Sequence, residues 1–121
     1  METFAEGLAT RTAFELPQRI LWQWLDDFVL VSDDEIRAAQ AAMIETTRNL
    51  VEAAGAAPLA AALQLREQLA SRRIALIASG GNASPEQLLE VLRLPPRGDP
   101  APVARLARVG PEEVRQRADQ N

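Results

Sequence analysis

Two short runs of strand-forming residues limit what this chain can fold into. They are Asp27-Phe28-Val29-Leu30-Val31 and Arg73-Ile74-Ala75-Leu76-Ile77-Ala78. Each is too short for a helix and apolar on successive positions, which suits a strand buried on both faces. The stretch between them reads as helix, and the second run leads through Ser79-Gly80-Gly81-Asn82 into another helix. Strand, helices, strand, glycine loop, helix is the order of an α/β domain with a parallel sheet. Two strands are too few for a complete sheet of that kind, so the sequence predicts part of a domain.

The helices announce themselves by their starts. Residues 15–25 read as a short helix with Pro17 in its first turn, where a missing N–H costs little. Leu21, Trp24 and Leu25 share one face. Trp22 and Trp24 are two apart, so one belongs to the core and the other faces a partner surface. Ser32 and Glu35 are spaced as a capping box, with Asp33 and Asp34 adding negative charge at the positive helix end. That helix is predicted over 33–49, with Ile36, Ala39, Met43, Thr47 and Leu50 on its inner face. Gly55 is expected to break the chain before a helix over 56–70, whose larger contacts are Leu59, Leu63 and Leu69. Its alanines would let another element approach closely. Ser84, Pro85 and Gln87 form a second capping box and open a helix ending near Leu94. Residues 95–121 read as a Pro-rich linker and polar tail, leaving 1–94 as the folded unit.

Composition excludes much chemistry. The 121 residues contain no His and no Cys, and their 13 basic residues are all Arg, against 17 Asp and Glu. The usual general base, the commonest metal ligand and every thiolate are absent. Without Lys, no side chain can form a Schiff base with an aldehyde cofactor. A net charge of −4 with scattered Arg argues against nucleic acid. No segment approaches the ~20 apolar residues of a membrane span, and the N-terminus lacks signal-peptide character. The expectation is a soluble cytoplasmic chain with no metal site.

Two segments carry chemistry. A buried strand ending in Ser79-Gly80-Gly81-Asn82 would place a hydroxyl at the carboxyl edge of a sheet, where α/β folds bind ligands. An ordinary strand-to-helix turn is the competing reading. In Leu50-Val51-Glu52-Ala53-Ala54-Gly55-Ala56 a carboxylate lies between an apolar helix end and small residues. It is either buried with a partner or solvated at a helix terminus. Asp26-Asp27 reads as a carboxylate pair or a surface turn.

Four blocks in order carry a resemblance: Glu2-Thr3-Phe4-Ala5-Glu6-Gly7-Leu8, Asp26-Asp27-Phe28-Val29-Leu30-Val31-Ser32-Asp33-Asp34-Glu35-Ile36, Val51-Glu52-Ala53-Ala54-Gly55-Ala56, and Ser79-Gly80-Gly81-Asn82. They resemble the C-terminal part of threonine/serine dehydratases, including the serine racemase branch, from Glu2 to about Leu92. These are fold-type II pyridoxal-phosphate enzymes. The resemblance implies a partial three-layer α/β fold, the C-terminal portion of the tryptophan synthase β-like architecture. It implies β-elimination from threonine or serine, giving a 2-oxo acid and ammonia. Ser79 would hydrogen-bond the pyridine nitrogen of pyridoxal phosphate. Glu52 would lie near the ring, and Gly80, Gly81 and Asn82 would form the turn presenting the serine.

The departures shape the expectation. The family's Schiff-base lysine and Gly-rich phosphate loop lie upstream of the resembling region, and no lysine occurs here. Ala53 replaces the usual proline, and Ala83-Ser84 the usual Val-Asp. The sequence therefore predicts no catalytic residue in the strict sense and no turnover by the chain alone. It predicts a truncated or split dehydratase, whose partner is the N-terminal half or a second copy. The alternatives are a non-catalytic interaction chain or remnant that folds only with a partner, and serine racemase-type activity when completed.

Overall fold

A computed structural model of the protein describes residues 3–93. The linker and tail predicted over 95–121 lie outside the described residues. The order is a 3₁₀ turn (Glu6–Leu8), then α1 (Glu15–Trp24), α2 (Asp33–Thr47), α3 (Ala53–Gln64) and α4 (Pro85–Leu92).

Both predicted capping boxes form. The Ser32 backbone N–H donates to Glu35 Oε2 at 2.7 Å, and the Glu35 N–H donates to Ser32 Oγ at 3.3 Å. At α4 the Ser84 N–H donates to Gln87 Oε1 at 3.1 Å, and the Gln87 N–H donates to Ser84 Oγ at 3.2 Å. Pro85 occupies the first turn. Each box satisfies two amides that the first turn leaves orphaned. Helix α2 stops at Arg48, which takes the left-handed conformation at φ 60°.

Helices α2 and α3 pack closely because the surfaces that meet are small. The buried cluster is Ala5, Ile36, Ala39, Val51, Ala53, Ala56 and Ala60, with Phe4, Val31, Met43, Ala57 and Leu59 around it. Gln40 lies fully buried on the same stripe, and its amide Nε2 donates to the Val51 carbonyl at 2.7 Å. The predicted inner face of α2 holds at Ile36 and Ala39, but Thr47 is exposed and the helix ends there, leaving the exposed Leu50 beyond it.

The first residues are held to α2 by Asp33. Thr3 Oγ1 donates to Asp33 Oδ1 at 2.5 Å, and the Phe4 N–H donates to Oδ2 at 2.9 Å. Arg37 adds a second tie. Its guanidinium lies 4.5 Å from the Phe4 ring centroid, and its Nε donates to Glu90 Oε1 on α4 at 2.8 Å. Gln64 at the end of α3 donates to the Leu30 carbonyl and to Glu35 Oε1. These contacts bring the ends of α2, α3 and α4 together.

Three expectations are corrected. Residues 27–31 and 73–78 form no β-strand among the described residues, where the regular structure is helical and Val29 makes only an isolated β-bridge. The residues have strand propensity, but a ladder needs a neighbouring strand, and among the described residues no strand runs beside either segment. Ile74, Leu76 and Ile77 are accordingly exposed. Gly55 does not break the chain: α3 starts at Ala53, runs through it and ends at Gln64. Helix α1 forms as predicted but buries none of its residues; Trp24 is 74% exposed and Trp22 half-buried. No helix among the described residues is long and apolar enough to cross a membrane.

The hydrogen bonds from Thr3 and Phe4, with Arg37 nearby, lower the pKa of Asp33 below its ordinary value. A lowered folded-state pKa means the stabilisation is complete above about pH 4 and is lost as pH falls through the folded value. Denaturant unfolding across that range should show the wild-type chain losing its advantage over Asp33→Asn on acidification. A pH-independent difference would contradict this.

Candidate functional site

The site forms where the start of α3 meets the turn after residues 73–78. Two backbone segments run against each other there. The Glu52 N–H donates to the Gly80 carbonyl at 3.1 Å, which joins the third and fourth resembling blocks directly. The Ala83 N–H donates to the Gly81 carbonyl at 2.9 Å and tightens the turn.

Glycine is required at this seam for space, since none of the glycines among the described residues has positive φ. A Cβ on Gly80 would overlap Glu52 Oε1 and stand 3.0 Å from its Cδ. On Gly81 a Cβ would come within 2.8 Å of the Leu50 carbonyl oxygen. Gly55 meets the seam from α3, where a Cβ would lie 2.9 Å from Val51 Cγ1 and 3.1 Å from the Gly80 carbonyl oxygen. Contacts this short are not tolerated without displacement.

Glu52 occupies the N-cap position of α3, yet its side chain makes no capping hydrogen bond. Its carboxylate lies against Gly80 instead, half-buried and near the positive end of the helix. Ser79 and Asn82 are exposed, and among the described residues neither side chain has a hydrogen-bond partner. The structure thus brings Glu52, Gly80 and Gly81 into contact and leaves Ser79 and Asn82 beside them with free polar groups. Asp26-Asp27 takes no part; both are exposed, and Asp27 Oδ1 accepts from the Phe28 N–H at 2.8 Å, as in a surface turn. An open groove of about 390 Å³ lined by Met43, Thr47, Asn49 and Ala78 reaches the seam at Leu50, Val51 and Gly80.

Two residues support the seam in ways that motif reading did not give: Gln40, outside the resembling blocks, and Gly55, within one of them. Gln40 fixes the carbonyl of Val51, the residue before Glu52. Its spacing four residues after Ile36 put it on the buried stripe, and a polar residue there was the available signal. Gly55 supports the seam from behind, a contact that its reading as a chain break did not supply.

The sequence model of the pyridoxal-phosphate-dependent enzymes matches residues 1–80. The chain belongs to that family. L-threonine ammonia-lyase of Geobacter sulfurreducens is 40% identical over 80 residues, 66% of this chain and 20% of that protein. A catabolic L-threonine dehydratase of Escherichia coli is 38% identical over 82 residues, 66% of this chain and 25% of the relative. Serine racemase of Schizosaccharomyces pombe is 31% identical over 91 residues, 75% of this chain and 28% of that enzyme. The chain therefore spans roughly a fifth to a quarter of the length of these relatives. No solved structure matches it. The recognition as a threonine/serine dehydratase-like, fold-type II chain stands, and the family's cofactor is pyridoxal phosphate.

The residues at the seam suit one side of that cofactor. A free hydroxyl at Ser79 can donate to a ring nitrogen, and two glycines remove the side chains that would keep a flat ring away. The covalent side is different: no lysine is available to hold the aldehyde carbon.

The glycine contacts rank the variants. In Gly80→Ala the obstacle is the mobile end of Glu52, which can swing away. In Gly81→Ala it is the backbone carbonyl of Leu50, which cannot. Gly81→Ala should cost about 1–3 kcal/mol of stability and Gly80→Ala clearly less. Chemical denaturation of both variants checks this order, and the reverse order would contradict the geometry.

Proposed function

We propose that this chain forms the ring-nitrogen side of a pyridoxal-phosphate site in a threonine/serine ammonia-lyase, and that a partner chain completes the site. The observation that carries the reading is the Glu52–Gly80 seam, which joins the two family blocks in residues 50–56 and 79–82. Pyridoxal phosphate, when bound, supplies the electron sink for β-elimination from threonine or serine.

Ser79 would hold the pyridine nitrogen by donating its hydroxyl proton. A neutral hydroxyl leaves that nitrogen largely unprotonated, as a carboxylate partner would not, and the weaker sink favours elimination over transamination. Glu52 would lie near the ring, with its carboxylate held where a Gly80 side chain would otherwise stand. Gly81 fixes the turn against Leu50, and Asn82 adds a free amide beside the serine. None of these residues can take the role of the covalent anchor, so the chain alone performs no turnover. The apolar side chains exposed on α1 and on 73–78 support dependence on a partner, which we place with this chain in the cytoplasm.

Two measurements test the reading. Pyridoxal phosphate added to the purified chain should give an absorbance and fluorescence signal that borohydride does not fix to a side chain and that Ser79→Ala weakens. No Ser79-dependent signal would overturn the half-site. L-threonine should yield no 2-oxobutanoate with the pure chain, and steady production would overturn the need for a partner.

A further inference from the structure

Gln40 is wholly buried on the inner stripe of α2, beside Ile36 and Ala39, where an apolar side chain would serve the core. Its amide is only half used. Nε2 donates to the Val51 carbonyl at 2.7 Å, while Oε1 is buried with no hydrogen-bond partner among the described residues. A buried amide oxygen without a donor costs free energy, and so does freezing a long, flexible side chain. Stability alone does not account for a glutamine at this position.

The bond it does make falls on one peptide unit. The C=O of that unit is the Val51 carbonyl held by Gln40, and its N–H is the Glu52 amide that donates to the Gly80 carbonyl at 3.1 Å. A trans peptide is planar and directs its C=O and N–H to opposite sides. Holding the carbonyl toward α2 therefore aims the amide away from α2, at the turn. Glu52 carries the constraint onward. Its carbonyl accepts from the Ala56 N–H at 3.1 Å as α3 begins, and its carboxylate lies against Gly80. Val51 is only 3% exposed, so water has little access to compete for its carbonyl.

We propose that Gln40 is a positioning residue for the candidate site: by clamping the Val51–Glu52 peptide it sets the Glu52 carboxylate against Gly80 and steadies the turn that carries Ser79. The consequence for pyridoxal phosphate rests on the proposed function, and the clamp itself does not. An apolar residue of similar length would fill the same space and lose the direction of the peptide.

The test uses the full chain. Gln40→Met keeps the length and removes both the donor and the orphaned oxygen, so the denaturation midpoint should change little. The Glu52 amide should nevertheless exchange roughly tenfold or more faster than in the wild-type chain, while amides in the middle of α3 keep their rates. Gln40→Glu supplies a rescue. A protonated carboxyl can donate to the Val51 carbonyl as the amide does, and an ionised one cannot. Compared with Gln40→Met at the same pH, the Glu52 amide of this variant should be protected below the pKa of the introduced carboxyl and lose that protection above it. Pyridoxal phosphate added to Gln40→Met should bind roughly tenfold more weakly than to the wild-type chain. Loss of protection spread evenly over α2 and α3 means that Gln40 only supports the core, and overturns the proposal. So does a Glu52 amide that Gln40→Met leaves unmoved, or a folded Gln40→Glu whose Glu52 amide ignores pH. Unchanged affinity in Gln40→Met, beside Ser79-dependent binding by the wild-type chain, overturns it too. If the wild-type chain binds no pyridoxal phosphate while the Glu52 amide responds as expected, the catalytic reading falls and the clamp stands.

Discussion

One backbone hydrogen bond, from the Glu52 amide to the Gly80 carbonyl, organises the rest of this structure. It exists because three glycines let main chain meet main chain. Gly80 leaves room for the Glu52 carboxylate, Gly81 for the Leu50 carbonyl, and Gly55 for the Gly80 carbonyl itself. Behind it, Gln40 ties the preceding carbonyl, that of Val51, to α2. A line of polar contacts thus runs from the buried face of α2 to the turn that carries Ser79. The serine itself takes no part in holding the turn, and its hydroxyl stays available.

The core that supports this seam is thin. Its buried apolar residues are largely alanines, with Ile36, Val51 and Val91 the larger members. Burying alanine removes little surface from water, so each contributes far less than the ~1.5–3 kcal/mol of a large aliphatic side chain. Larger apolar groups, among them Phe14, Ile20, Trp24 and Ile77, stay on the surface. Close helix packing fixes geometry here more than it supplies free energy. The same small residues that allow α2 and α3 to approach leave hydrophobic stabilisation to be gained from whatever covers α1 and 73–78.

This division explains what could be read from the residues. Capping boxes are local, so Ser32–Glu35 and Ser84–Gln87 were legible and both form. The candidate site residues were named from their order along the chain, and the seam places Glu52 against Gly80. A strand is a relation between segments, so the propensity of 73–78 stated what the residues suit and not what they find. Gly55 misled for a related reason. Its role is a tertiary approach to Gly80, and nothing within five residues of it reveals that contact. Gln40 was visible only as a polar break in an apolar stripe.

Amide hydrogen exchange on the isolated chain tests the central claim most directly, because the seam is one amide among neighbours that lack partners. The account predicts slow exchange at Glu52, together with the amides of α2 and α3, and fast exchange at 74–78. A Glu52 amide that exchanges as fast as those of 74–78 would mean the seam is not formed, and the half-site built on it would go with it.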